Sequence, residues 1–167
     1  MRKTYAKRLL NVLSACESSA QAASEAQVIS PGELEFLRHD WDTWAREDQL
    51  APQALANGEP WRVWMILGGR GSGKTRAGAE WVRSQARGDD ATDCEPARIA
   101  LVGKTLGDVR NVMIEGVSGL LAIHANGERP LFEPSKRRLT WPNGAIAELF
   151  SADEREALRG PQFTHAW

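Results

Sequence analysis

Short apolar segments alternate with longer amphipathic segments along the middle of the chain, and this order predicts alternating strands and helices. Residues 61–67 and 98–102 are apolar and rich in β-favouring side chains, which predicts two buried strands. Between them, residues 74–87 carry helical spacing and stop before Gly88. The chain therefore contains a predicted strand, loop, helix and second strand in succession.

The C-terminal part predicts a β-hairpin followed by a helix and a further strand. Residues 138–141 and 145–150 flank a Pro-Asn-Gly turn, which is typical of a hairpin. Ser151 and Glu154 predict a capping box at the start of a short helix. Residues 163–167 begin another extended segment. The whole order predicts an α/β fold with a mostly parallel sheet and one β-hairpin.

The N-terminal residues 1–29 form a predicted helical arm. Residues 4–26 are amphipathic and end in a run rich in Ala, Ser and Gln. A clear helix start follows, since Ser30 can cap, Pro31 takes the first helical position and Glu33 lies three residues after the cap. One apolar face of that helix predicts core packing for Leu34, Leu37, Trp41 and Trp44.

Composition is that of an ordinary globular chain. Of 167 residues, 42% are hydrophobic and 26% are charged, which is enough for a core. The net charge of −1 gives no global attraction to nucleic acid or membranes, so any DNA contact needs a local basic patch. Cys16 and Cys94 lack metal-ligand spacing, and no apolar run approaches transmembrane length, so a reducing cytoplasm is the expected location.

Residues 68–75, with the sequence GGRGSGKT, match the phosphate-binding pattern G-x-x-x-x-G-K-[ST]. Glycines let the backbone curl so that successive N–H groups face a phosphate, and the following helix adds its positive N-terminal end. Lys74 is expected to reach the β- and γ-phosphate oxygens, and the Thr75 hydroxyl to bind Mg²⁺. ATP and Mg²⁺ are therefore the predicted cofactors. The predicted binding loop comprises Gly68, Gly69, Arg70, Gly71, Ser72, Gly73, Lys74 and Thr75.

A second Gly-Lys-Thr, at residues 103–105, also follows a predicted strand but lacks the loop. Arg98 stands where the first glycine of the pattern belongs, so the backbone has no phosphate-binding curl there. We interpret this tripeptide as a strand end followed by a helix cap. Thr105 and Asp108 then start a predicted helix that runs to about Glu115.

ATP hydrolysis also needs an acid that holds the Mg²⁺ water shell and a glutamate that orients the attacking water. Asp153 and Glu154 are the internal candidates. Glu148 interrupts the apolar strand that would lead to them, and the capping box with Ser151 is the better explanation of Glu154. A catalytic role of this acidic pair is therefore the weaker of the two interpretations.

Five segments, one of which contains the loop, resemble the large subunit of viral DNA-packaging terminases found in tailed phages and phage-like gene transfer agents. They are WAREDQLAP, LGGRGSGKTRAGAEWVR, ALVGKTLGDVRNVMIEGVSGLL, LTWPNGAIAELFSADE and LRGPQFTHAW, spread over residues 40–167. The resemblance implies a P-loop NTPase fold of the additional-strand, RecA-like type. It assigns residues 30–167 to the N-terminal part of the ATPase domain.

The resemblance implies an ATP-driven motor that moves double-stranded DNA into a procapsid. The implied partners are double-stranded DNA, the portal protein, the procapsid, the terminase small subunit and further copies of the chain in a ring on the portal. The implied setting is the cytoplasm of a bacterial host, with no membrane partner.

The resemblance also assigns roles by position. Gln49 resembles the family's adenine-contacting glutamine, with Arg46 and Pro52 framing that site. Arg70 lies where an arginine bridges phosphates, and Arg159 resembles an arginine that reaches a neighbouring subunit's nucleotide, so with Lys74 they are the implied catalytic residues. For Arg159 the alternative is a residue at a helix C-terminus that is stabilised by the helix dipole.

In the family, the Walker B strand runs into an Asp-Glu pair and a nuclease domain follows, whereas this sequence stops at Trp167. We therefore expect an ATPase domain that is incomplete at its C-terminus, with weakened nucleotide binding and almost no hydrolysis. One alternative is a truncated, non-catalytic remnant. The other is a different small P-loop enzyme such as a metabolite kinase, although no residues are assignable to its lid or acceptor pocket.

Arg129 and the Lys-Arg-Arg run at residues 136–138 form a local basic group near the hairpin. Contact with DNA phosphates there would be independent of sequence and sensitive to salt. A solvated loop is the favoured interpretation of this group.

Overall fold

The computed structural model describes Ser14, Ser18 and residues 30–88 and 95–167. The predicted arm over residues 1–29 therefore lies outside the described residues apart from its two serines. Cys16 and Cys94 also lie outside them. In the part that is described, no helix is long and apolar enough to cross a membrane.

The chain divides into two compact units, Met1–Leu50 and Ala51–Trp167. The first unit contains helix α1 (Pro31–His39), the short helix α2 (Trp41–Trp44) and a 3-10 turn at Glu47–Gln49. The predicted start of α1 is confirmed, because the Ser30 hydroxyl accepts from the Glu33 amide at 3.3 Å and the Glu33 carboxylate accepts from the Ser30 amide at 2.8 Å.

The prediction of one continuous apolar face in this unit is wrong. Leu37 is buried, whereas Leu34 and Trp44 are 49% and 55% exposed. The reason is Asp40, whose extended backbone ends α1 and breaks the 3.6-residue spacing before Trp41. The Trp44 indole instead turns back and donates to the Leu37 carbonyl.

The second unit contains the remaining elements. Its helices are α3 (Lys74–Arg87), α4 (Leu106–Asp108), a π-helical turn (Val109–Ile114) and α5 (Leu120–Ile123), and its 3-10 turns are Pro134–Lys136 and Arg155–Leu158. Its strands are β1 (Arg98–Gly103), β2 (Leu131–Glu133), β3 (Arg138–Thr140), β4 (Ile146–Ser151) and β5 (His165–Ala166). The predicted helix before Gly88, the hairpin and the final extended segment are thereby confirmed.

The five strands form one sheet in the order β2-β3-β4-β1-β5. β1 is parallel to both β4 and β5, while β3 is antiparallel to β2 and β4. The fold is thus α/β, as predicted, but the prediction of a mostly parallel sheet is wrong. The hairpin and the additional strand β2 make two of the four pairings antiparallel, so the sheet is mixed.

The predicted buried strand at residues 61–67 is also wrong. This segment has no ladder partner among the described residues, and Val63, Met65 and Leu67 are 79%, 72% and 84% exposed. An apolar run indicates a strand only when a neighbour offers a ladder. The short edge strand β5 pairs over two residues, His165 and Ala166, which leaves little ladder for another strand to extend.

The core lies between one face of the sheet and the helical elements α3, the π-helical turn and α5. Alternate strand residues point into it, as the two-residue period of a strand requires. Its members include Val82, Ala86, Ile99, Leu101, Val109, Ile114, Leu120, Ile123, Leu139, Ala147 and Leu149, all of them buried. At about 25 cal/mol per Å² of apolar surface removed from water, this cluster is the main stabilising contribution to the unit.

A neutral histidine is built into the edge of this core. The Nδ1–H of His124 donates to the Leu120 carbonyl at 2.6 Å, because a carbonyl oxygen only accepts. Its Nε2 therefore accepts from the Trp141 indole N–H at 2.9 Å. Burial is the largest cause that lowers the pKa of His124, to about 4. Protonation would remove the acceptor for the buried indole.

Candidate phosphate-binding site

Residues 68–73 form a tight loop that leads directly into α3. Gly71 and Gly73 have φ angles of 75° and 84°, in the left-handed region where a Cβ is costly. Gly73 is the N-cap of α3, and the first helical backbone bond runs from the Ala77 amide to the Gly73 carbonyl at 2.9 Å. The glycine spacing therefore produces the curl that the sequence pattern predicts for this segment.

The Lys74 side chain folds back across the loop. Its ammonium donates to the Gly68 and Gly69 carbonyls at 2.8 and 2.7 Å, and to the Ser72 hydroxyl at 3.3 Å. All three N–H bonds of the ammonium thus point at atoms of one loop, which places a full positive charge inside the curl. A phosphate oxygen is a stronger acceptor for that charge than a carbonyl oxygen is.

The N-terminus of α3 adds to this positive character. The first N–H groups of an α-helix have no intrahelical acceptor, and Gly73 has no side chain that could supply one. These amides carry the positive end of the helix dipole. Thr75, in the first turn, is half-buried, and Arg70 is exposed on the loop. The loop, the ammonium and the helix end together place positive charge where a phosphate could bind.

A buried ion-pair network lies further along α3. The Glu80 side chain is 2% exposed and binds Arg76 at 2.7 Å and Arg83 at 3.3 Å. Arg83 also binds Glu128 at 2.8 Å. Partial burial raises the pKa of Glu128, but the hydrogen bond from Arg83 and the charge of Arg87 outweigh it, so this pKa lies below its usual value. Because both carboxylates are paired, neither is a spare acid for catalysis.

The second Gly-Lys-Thr has the geometry expected of a strand end and a cap. Gly103 is the last residue of β1, and the Thr105 hydroxyl accepts from the Asp108 amide at 3.1 Å. Asp108 in turn accepts from the Thr105 amide at 3.1 Å, which completes a capping box. Lys104 is exposed, and its carbonyl accepts from the Ser151 hydroxyl at 2.8 Å. The interpretation of this tripeptide as a strand end followed by a helix cap is confirmed.

The predicted capping box at Ser151 is wrong. Ser151 is the last residue of β4, and its hydroxyl is engaged by Lys104 and by the Asp153 amide at 3.2 Å. Glu154 takes the N-cap position of the following 3-10 turn, without a side-chain cap bond. The cause is the parallel pairing of Gly103 with Ser151, which carries the strand one residue further than predicted. Glu154 is exposed and lies 3.6 Å from Arg137.

The remaining residues assigned by resemblance each have a local hydrogen-bond or ion-pair partner. Gln49 is buried in the first unit, where its side-chain oxygen accepts from the Arg46 amide at 3.1 Å. The Arg46 guanidinium pairs with Asp48 at 3.0 Å. Arg159 is 79% exposed and pairs with Glu156 at 2.8 Å. Their roles toward a nucleotide stay predictions.

The basic group near the hairpin is largely neutralised by local partners. Lys136 and Arg138 both pair with Glu133, at 2.6 and 3.4 Å, and the Lys136 hydrogen bond is the largest cause that lowers the pKa of Glu133. Arg137 lies near Glu154, while Arg129 is exposed. This pairing favours the interpretation as a solvated surface.

Comparison with known families decides where the chain belongs. A family model described as "Terminase large subunit, T4likevirus-type, N-terminal" matches residues 65–167, well over half of the chain. The chain belongs to this terminase family. Membership indicates a role in phage DNA packaging. Searches of curated proteins and of solved structures gave no match.

The terminase match contains the loop and α3 but begins after Arg46 and Gln49. The resemblance stated from the sequence segments is thereby confirmed at the level of the family. Within the matched part, the sequence did not predict one close contact of α3, between Gly78 and the indole of Trp167. An isolated glycine inside a helical pattern was the available signal, because such a glycine usually has a packing reason.

Proposed function

We propose that the chain is the nucleotide-binding part of a terminase large subunit, with a P-loop NTPase fold, and that its loop binds the phosphates of Mg²⁺-ATP. The observation that carries the proposal is the position of Lys74, whose ammonium is held inside a curled glycine loop at the N-terminus of α3. Thr75 is the residue proposed to bind Mg²⁺.

Arg70 and Arg159 are proposed to stabilise the negative charge of the phosphates during phosphoryl transfer. Positive charge placed where charge develops on a transferred phosphoryl group is a large term in catalysis. Arg70 is on the loop itself and is exposed, so it lies next to the proposed phosphate site. Arg159 is exposed and on the surface, so it fits a role toward the nucleotide of a neighbouring copy in a ring.

In the proposed setting, nucleotide binding powers the movement of double-stranded DNA through a portal into a procapsid. The proposed partners are the portal, the procapsid, the small subunit and further copies of the chain, in the cytoplasm of a bacterial host. Family membership supports this setting. Gln49 is proposed to contact the adenine, with Arg46 framing that site.

A ligand series tests phosphate binding by this chain. Equilibrium binding is measured for Mg²⁺-ATP, Mg²⁺-ADP and adenosine, with inorganic tripolyphosphate as competitor. We expect affinity to fall from ATP to ADP and to be lost for adenosine, and tripolyphosphate to displace ATP, because the loop contacts phosphates alone. Equal affinity for ATP and adenosine, or no competition by tripolyphosphate, would contradict the proposal.

A turnover assay separates the motor from a small kinase. ATP hydrolysis is measured on a chain extended at its C-terminus to include the family's Walker B acids, with and without double-stranded DNA, and with small hydroxyl acceptors in place of DNA. Stimulation by DNA would support the terminase motor, whereas phosphoryl transfer to a small acceptor would replace it with the kinase.

A further inference from the structure

Gly78, in the middle of α3, lies in direct contact with an aromatic ring. It is fully enclosed, and a Cβ built at this position would lie well inside 3.0 Å of three indole atoms of Trp167. Glycine inside a helix normally destabilises it, so a helix keeps one when another group must approach its backbone. Here the approaching group is the indole of Trp167.

Trp167 is held in place by the sheet. Its amide donates to the Ala100 carbonyl at 2.8 Å, and its carbonyl accepts from the Val102 amide at 2.7 Å. These bonds continue the pairing of β5 with β1 by one residue. The backbone of Trp167 is therefore fixed relative to the sheet. Its indole contacts α3 at Gly78, so the contact sets the distance between α3 and the sheet at this point.

The contact falls on the helix face that leads to the loop. Gly78 is four residues after Lys74 and three after Thr75, and residues at these spacings lie one above the other on a helix. A second contact follows on the same face, where Trp81 packs edge-on against His165 with ring centroids 5.7 Å apart. α3 thus rests on β5 through two aromatic contacts, and the one nearer the loop is made at Gly78.

We propose that Trp167 is a positioning residue for the phosphate-binding loop. Its indole sets how far the first turns of α3 stand from the end of β5, and thereby the direction of the N-terminal amides and of Lys74. The inference rests on the proposed function of the loop as a phosphate site. It assigns to Trp167 no contact with the nucleotide.

Three variants test this inference: Gly78→Ala, Trp167→Leu and the double variant. Each single change shifts the start of α3, so we expect Mg²⁺-ATP affinity to fall about 3- to 10-fold, the effect of one or two weakened hydrogen bonds. In the double variant the smaller leucine makes room for the new methyl group, so affinity should return toward that of the unmodified chain. Gly32→Ala in α1, where a Cβ meets nothing within 4 Å, is the matched control and should leave affinity unchanged.

Amide hydrogen exchange without nucleotide gives a second readout. We expect each single variant to raise exchange in residues 68–78 more than in the rest of the described chain. Wild-type exchange and affinity in Trp167→Leu would overturn the inference, and so would a loss of affinity that merely follows a chain-wide rise in exchange. If the unmodified chain binds no ATP, the proposed function fails, but exchange over residues 68–78 still decides whether Trp167 positions the loop.

Discussion

The chain contains the tripeptide Gly-Lys-Thr twice, each time at the start of a helix, and the two copies have different structures. At residues 73–75 the glycine has a left-handed backbone conformation, the lysine side chain donates to the loop carbonyls and the threonine lies in the first turn of the helix. At residues 103–105 the glycine ends a strand, the lysine is exposed and the threonine caps the helix.

The difference arises from the residues that precede each copy. Five residues rich in glycine come before Gly73, so the backbone can turn back on itself and Lys74 has carbonyls within reach. A regular strand comes before Gly103, so the carbonyls point sideways into the sheet and Lys104 has no curl to enter. The same tripeptide therefore favours an anion-binding geometry only when the backbone in front of it can curl, as it does before Gly73.

The largest expected effect concerns the compact unit that holds both copies. The pKa of His124 is about 4 in the fold, against about 6.5 in an unfolded chain, so the folded state favours the neutral ring. This stability is fully present above about pH 6.5 and is lost as pH falls toward 4. The loss amounts to at most about 3 kcal/mol, at 1.36 kcal/mol for each pKa unit.

Urea unfolding between pH 7 and pH 4 measures this loss, with His124→Gln as the comparison. Glutamine does not titrate and can still accept from the Trp141 indole, so its free energy of unfolding should fall less steeply with pH. His165, whose pKa is lowered by partial burial, acts in the same direction in both proteins and cancels in the difference. The contribution of Glu128 cancels only in part, because the charge of His124 is one of the causes that lower the pKa of Glu128. Parallel pH curves would contradict the assignment to His124.

The next effect separates the two lysines. Lys74→Ala removes the charge inside the loop, and a hydrogen bond to a charged group is worth about 1.5–3 kcal/mol, so Mg²⁺-ATP affinity should fall about 10- to 100-fold. Lys104→Ala removes the same side chain from the second copy and should change affinity less than twofold. Calorimetric titration of both variants makes the comparison, and equal losses would mean that the binding site lies elsewhere.

The smallest effects separate the two threonines. Thr105→Ala removes a helix cap and should cost about 1 kcal/mol of folding free energy, with nucleotide affinity unchanged. Thr75→Ala should lower affinity for ATP by a few-fold, in the presence of Mg²⁺ only, with little change in stability. Denaturant unfolding and titration with and without Mg²⁺ test both variants, and a reversal of the two outcomes would break the comparison.

Sequence reasoning succeeded where a local rule determines the structure. Ser30 and Thr105 cap their helices because the partner acid lies three residues away, and Gly88 ends α3 with a φ of 71°. These contacts join residues within one helical turn, so the local sequence is enough to predict them. The glycine loop is predictable for the same reason, because its conformation depends on neighbouring residues.

It failed where the outcome depends on a distant partner. Apolar residues 61–67 predict a strand, but pairing needs a neighbour that the pattern does not reveal. Ser151 resembles a cap until the parallel register with Gly103 extends β4 through it. Gly78 acquires its meaning only from Trp167, which is remote in sequence.

Backbone chemical shifts during titration test the central claim most directly, because they report both copies of Gly-Lys-Thr in one experiment. ¹H–¹⁵N spectra of the labelled chain are recorded as Mg²⁺-ATP is added. We predict large, saturable shifts for the amides of Gly69–Thr75 and unchanged positions for Gly103, Lys104 and Thr105. Shifts centred on residues 103–105, or a loop whose amides do not move at saturating ATP, would contradict the account.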